Sequence, residues 1–210
     1  EENYMNLGDN FVQEGLVNRI TPFTTNKPGA KNFDTEKAYH NIMTRFKFGN
    51  LKQKGLYIDE TTMRMCYTHR RLLGQTALQL IAEGKKQKAI NILKKADVEI
   101  PTYNVPLDYL NGGIDMARGW LMTGQKAKGK EYVEAIWKNA SQYLNYYLSL
   151  PNNLFLQAEH DCIRQIMIMQ SICEAAGMVS PQLEKKYEKQ LNNLYRLYHG
   201  RGGRMPEGNQ

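Results

Sequence analysis

The stretch "LIAEGKKQKAINILKKA", residues 80–96, holds one glycine and five lysines among regularly spaced apolar residues. It admits three readings: a phosphate-gripping loop, a nucleic-acid stripe, or a hinge between two packed helices. A phosphate loop follows a strand, needs several glycines whose N–H groups face the phosphates, and carries a Lys–Ser/Thr pair. Gly84 stands alone here, no Ser or Thr follows the lysines, and helical patterns flank it on both sides. A nucleic-acid stripe would interleave aromatic residues with Lys85, Lys86, Lys88, Lys94 and Lys95, and none is present. The hinge reading remains. Leu80 and Ile81 end one apolar face, and Ala89, Ile90, Leu93 and Ala96 form the next at helical spacing.

The same pattern continues in both directions. Residues 61–83 and 86–98 read as one helical pair around Gly84. Residues 107–123 and 126–148 read as a second around Gly124, and 153–176 and 181–198 as a third around Gly177. Ser180 caps the last helix, and Pro181 takes its first turn. This predicts an all-α array of antiparallel helical hairpins, a tetratricopeptide-like right-handed α-solenoid, over residues 60–199. The first pair fits best. Leu73, Ala77 and Leu80 face Ala89, Leu93 and Ala96, with Pro101 closing the unit. Helices about 8–10 Å apart need small residues at their crossing and large ones beside it. The second pair keeps Ala117, Trp120, Gly124, Gly129 and Val133 but has Ile136 at the last small position.

Residues 1–59 form a short mixed segment packed on the array. A helix is expected around Tyr4, Leu7, Phe11 and Leu16, then an extended stretch and loop, then a helix capped by Asp34 that runs to about Phe46. The glycine-rich tail, residues 200–210, reads as disordered. The opening "EENYMNLGDN" has no leader pattern and no initiator methionine, so a piece of a longer protein or a processed form is expected.

The net charge of +7 allows acidic partners without requiring them. The longest charge-free run, residues 139–158, contains Pro151 and many amides and does not read as a membrane span. Cys66, Cys162 and Cys173 are too few, and odd in number, for a disulfide framework.

Several constellations invite a chemical reading. Cys66 and His69 share a helical face, but a structural zinc site needs four ligands. In "AEHDCIRQ", residues 158–165, His160 and Cys162 lie two apart on a helix and diverge. Cys162, Ile166, Met169, Cys173 and Ala176 instead trace an apolar stripe. The run His69–Arg71 could grip a carboxylate or phosphate. Trp120, Tyr132, Trp137, Tyr143, Tyr146 and Tyr147 crowd two consecutive helices, and a curved array would hold some of them on its concave side. The candidate groove residues are Trp120, Tyr132, Trp137, Tyr143, Tyr147, His69 and Arg70. No catalytic, cofactor-binding or metal-ligating residue is assigned.

"NFVQEGLVNRITPF" (residues 10–23), "KGLYIDETTMRMCYTHRRLLGQTALQLIAEG" (54–84) and "IPTYNVPLDYLNGGIDMARGWLMTGQ" (100–125) carry a resemblance. Together they resemble the C-terminal soluble region of large bacterial membrane proteins whose membrane half bears a conserved domain of unknown function, similar to protein O-mannosyltransferases. The resemblance implies a fragment hanging from a glycosyltransferase-like body on the periplasmic side of the inner membrane, although a cytoplasmic setting stays open. The acidic catalytic residues would lie in the membrane half, so none transfers to this chain. The expected function is a non-catalytic module that recognises a protein, a peptide or a glycosylation acceptor. It would meet the membrane only through an upstream region and would not bind nucleic acid. Two alternatives stand beside it: an enzyme, such as a hydrolase with carboxylates on the concave face, and a purely structural or oligomerisation domain.

Overall fold

The computed structural model describes residues 8–22, 33–107 and 112–204. All-α character holds. Among the described residues, eight α-helices accompany one two-stranded sheet near the N terminus. The chain divides into two compact units, residues 1–106 and 107–210.

In the first unit, β1 (Phe11–Gln13) pairs antiparallel with β2 (Asn18–Ile20), in the register Phe11–Ile20, Val12–Arg19 and Gln13–Asn18. Residues 8–16, expected to be helical, are instead a short 3-10 turn and a strand. Tyr4 and Leu7 lie outside the described residues. The apolar spacing of Phe11 and Leu16 fits a helix, but the turn at Gly15, with φ +133°, sends the chain back on itself.

Helix α1 (Thr35–Thr44) starts where Asp34 accepts a hydrogen bond from the Lys37 N–H at 3.0 Å, as its sequence predicts. It packs against both α2 (Glu60–Ala82) and α3 (Lys86–Glu99). The α2–α3 core follows the crossing pattern: Leu73, Ala77, Leu80, Ala89, Leu93 and Ala96 are all buried.

The turn between α2 and α3 settles the hinge reading. Gly84 is left-handed at φ +77°. Its N–H donates to the Ile81 carbonyl at 2.9 Å, and the Lys85 N–H donates to Leu80 at 2.8 Å. These two bonds satisfy carbonyls that a helix end otherwise leaves bare. Gly84→Ala forces a side chain into the left-handed region and is expected to destabilise the first unit by about 1–2 kcal/mol. A urea midpoint unchanged by the substitution would refute this.

Three of the five lysines of residues 80–96 bond to the protein itself, while Lys86 and Lys94 are exposed. Lys85 pairs with Glu36 and with Glu83, each at 2.7 Å, and Lys88 reaches Glu36 at 2.5 Å. The Lys95 ammonium donates to the Met43 carbonyl at 3.0 Å. They fasten α1 to the hairpin, and hydrogen bonds from Lys85 and Lys88 lower the Glu36 carboxyl to about 2.

The second unit holds α4 (Gly113–Met122), α5 (Lys126–Ser149), the short α6 (Asn152–Gln157), α7 (Glu159–Val179) and α8 (Pro181–Gly200). Gly124, at φ +88°, repeats the Gly84 device: its N–H meets Leu121 at 3.0 Å, and the Gln125 N–H meets Trp120 at 2.9 Å. At Gly129 of α5 a Cβ would stand 2.5 Å from Leu121 side-chain carbons, so α4 and α5 cross where only glycine fits. The buried stripe Cys162, Ile166, Met169, Cys173 and Ala176 on α7 packs as expected.

The third hinge is corrected. Gly177 lies within α7, and the bend falls at Ser180. Ser180 ends α7 in an extended conformation and caps α8, its hydroxyl accepting from the Leu183 N–H at 3.2 Å. No left-handed residue is needed there. Gly177 lies against α8, where a Cβ would sit 2.8 Å from the Glu184 carboxylate and that flexible side chain would have to move aside. A left-handed glycine also follows the end of α8: Gly202, at φ +85°, with its N–H on His199 at 2.8 Å and that of Gly203 on Tyr198 at 3.1 Å. A second difference is the break at Ala158, which divides the expected helix 153–176 into α6 and α7.

Of the segment 200–210, residues 201–204 are tied down. The Arg201 guanidinium donates to the carbonyls of Leu148 at 2.5 Å and Leu150 at 2.6 Å and to Asn152 Oδ1 at 2.8 Å, and it lies 4.3 Å over the Phe155 ring. Gly203 packs flat on the Tyr198 ring, where a Cβ would meet ring carbon at 2.3 Å. Residues 205–210 lie outside the described residues.

Candidate functional site

The candidate groove residues divide between the two units. In the first, Arg70 is 1% exposed. Its guanidinium donates to the backbone carbonyls of Ile100 at 2.8 Å, Val105 at 2.7 Å and Pro106 at 2.9 Å. The cationic run His69–Arg71 therefore does not present Arg70 to a ligand: the planar fork holds the loop that follows α3. His69 is half-buried, bonded through Nδ1 to the Met65 carbonyl at 2.7 Å and edge-on to Phe46 and Phe48, with centroids 6.1 and 6.0 Å away.

In the second unit, Trp120 and Tyr132 are core residues. Tyr143 is exposed and lies 6.2 Å from the Tyr147 ring, near parallel. Trp137 is the member that reaches a groove. Its indole stacks on Tyr187 of α8 with centroids 3.9 Å apart and planes 4° from parallel. Helical spacing places Trp137 on one side of α5 and Tyr187 on the apolar stripe of α8. The stack fixes α8 against α5.

Beside this stack runs a groove of about 300 Å³, lined by Trp137, Ser141 and Asn145 of α5 and Gln190, Asn193 and Leu194 of α8. Among the described residues, no charged side chain lines it. Trp137 Nε1–H donates to Gln190 Oε1 at 3.2 Å. An indole is a donor only, so this bond fixes the amide's orientation and leaves the Gln190 NH₂ for other partners. Asn145 Nδ2 donates to the Ser141 carbonyl at 2.7 Å, which leaves Oδ1 as a free acceptor. The Ser141 hydroxyl gives its hydrogen to the Lys138 carbonyl at 3.0 Å and keeps its lone pairs. The groove thus offers donors from one helix and acceptors from the other along an aromatic wall.

A second hollow, of about 270 Å³, lies between α4 and α7, lined by Ile114, Met167, Ile168, Gln170, Ser171 and Glu174. Its rim is closed by the Arg118–Glu174 pair at 2.8 Å. Among the described residues, neither hollow has a cysteine or histidine in its lining.

The chain matches no protein-family model, no curated protein and no solved structure.

Among the described residues, no group of three or more His, Cys, Asp or Glu is placed to hold a metal ion, and no helix is long and apolar enough to cross a membrane. In "AEHDCIRQ", Asp161 pairs with Arg164 at 3.1 Å, and Glu159 accepts from Tyr198 OH at 3.3 Å and from the Arg204 N–H at 3.2 Å. Burial raises the thiols of Cys162 and Cys173 to about 11, and the hydroxyls of Tyr187 and Tyr198 to about 12. A thiolate is the reactive form, so these cysteines are inert at neutral pH.

The same shifts set a sign. Each of the four groups holds its proton to a higher pH folded than unfolded, so their contribution is complete below about pH 8.5, the ordinary thiol value, and declines as pH rises through 11 and 12. The unfolding free energy is therefore expected to fall steadily from about pH 9 upward. Cys162 and Cys173 should resist alkylation at pH 8 until denaturant is added. Full modification of the folded chain at pH 8 would contradict both statements.

Proposed function

We propose that this chain is a non-catalytic recognition module that holds a partner polypeptide or an acceptor near a larger glycosyltransferase-like bacterial membrane protein, on its periplasmic side. One observation carries the recognition role: the groove between α5 and α8, lined by uncharged described residues, with the Gln190 and Asn145 amides fixed in orientation beside the Trp137–Tyr187 stack. Pockets that place a few oriented polar groups on an apolar wall are suited to binding. The tetratricopeptide-like reading belongs with this proposal. Gly84 and Gly124 close two hairpins with the same pair of hydrogen bonds, and small residues stand at each crossing, Ala77 and Ala89 in one and Ala117 and Gly129 in the other. The membrane setting rests on the resemblance carried by residues 10–23, 54–84 and 100–125.

The test is a paired substitution, Asn145→Ala with Asn193→Ala, in the full-length protein. Both side chains are exposed, so folding should survive. A recognition role predicts that acceptor modification by the full-length protein falls at least about fivefold while its abundance is unchanged, since each lost hydrogen bond is worth about 1 kcal/mol. Unchanged modification would refute the role.

A further inference from the structure

We infer that the α5–α8 groove reads the main chain of an extended, uncharged peptide segment. This rests on the recognition role above and adds the class of ligand. The first argument is complementarity. A peptide backbone offers one N–H donor and one C=O acceptor per residue. The groove offers the Gln190 NH₂ as donor and Asn145 Oδ1 and the Ser141 lone pairs as acceptors, each left over after an internal bond has fixed its partner atom. Asn193, exposed on α8 and lining the same groove, can supply both kinds of group.

The second argument is spacing. Ser141 and Asn145 stand four residues apart on α5, a rise of about 6 Å. An extended chain repeats every two residues, about 6.7 Å. Successive groups on one edge of such a peptide can therefore meet successive side chains of α5, within the reach of an amide rotamer. The third argument is charge. The chain carries +7, yet among the described residues only uncharged side chains line the groove, which suits an uncharged ligand. Leu194 and the edge of Trp137 leave an apolar strip for the peptide's side chains.

The experiment follows the side-chain amide resonances of Asn145, Gln190 and Asn193 and the indole resonance of Trp137 in the ¹⁵N-labelled chain. The probes are a blocked decapeptide of Ser, Thr and Ala, its analogue with one central amide replaced by an ester, and maltohexaose. The expected result is a saturable shift of all four residues with the peptide, about fivefold weaker binding of the ester, and an affinity that salt changes by less than about twofold. Asn145→Ala and Asn193→Ala together should abolish the shifts with the circular dichroism unchanged. Equal binding of ester and amide overturns main-chain readout. Shifts with maltohexaose and none with the peptide overturn the peptide inference and leave the groove as a recognition site. No shift with any probe overturns both.

Discussion

Arg70→Ala is expected to lower the stability of the first unit by about 4 kcal/mol, among the largest effects of any single substitution in the chain. The cause is what remains after truncation. The Ile100, Val105 and Pro106 carbonyls all accept from this one guanidinium, in a place where Arg70 is 1% exposed. A hydrogen bond to a charged group contributes about 1.5–3 kcal/mol, and a buried carbonyl left bare costs about 1–3 kcal/mol. Ile100 is also the C-cap of α3, so the cation sits at the negative end of that helix. Arg70→Lys should recover no more than about half of the loss, because a point ammonium cannot reproduce the planar fork. Arg70→Met separates packing from hydrogen bonding by keeping the side-chain length. Urea unfolding reads all three. A loss below about 1 kcal/mol for the alanine variant would show that the loop after α3 does not depend on Arg70.

Trp137→Ala should cost the second unit about 4 kcal/mol. Truncating a buried tryptophan costs about 3–5 kcal/mol, and the parallel stack on Tyr187 adds about 0.5–1.5 kcal/mol that alanine cannot keep. Both rings are almost wholly buried. Trp137→Phe should retain most of the stability and lose the indole donor to Gln190, so the amide is released while the fold stands. The two variants thus part stability from groove order. Guanidinium unfolding measures the first, and the Gln190 side-chain amide resonance the second. A phenylalanine variant as unstable as the alanine one would mean that the indole hydrogen bond, not the stack, holds α8 in place.

Much of the helical architecture is legible in the sequence because its causes are local. The periodic apolar residues of α2 and α3, the caps at Asp34 and Ser180, and the hinge glycines Gly84 and Gly124 each act within a few residues of themselves. Gly177 misleads for the same reason. It has the look of a helix stop, but Ser180 and Pro181 just beyond it already provide both the stop and the next start. The glycine lies beside Glu184 of the facing helix, a closeness that no local pattern reveals. The strands β1 and β2 span three residues each, too short to outweigh the helical spacing of Phe11 and Leu16.

The groove was half legible. Trp137 stands out as a large aromatic residue with a polar edge. Tyr187, Gln190 and Asn193 do not, because on α8 they read as an ordinary amphipathic helix until α5 is laid beside it. Arg70 was visible as a cation but not as a buried one. Its partners are main-chain carbonyls, which leave no trace in the residue types.

The Arg201 fork has a consequence for biosynthesis. The turn between α5 and α6 is held by a side chain that the ribosome adds about fifty residues later, and Gly203 and Arg204 complete the seal around Tyr198. That turn must therefore wait, unfastened, on the nascent chain. The seal at this turn closes only when residue 204 has left the exit tunnel, so a premature stop inside α8 would release a chain with the α5–α6 turn open for proteases to find.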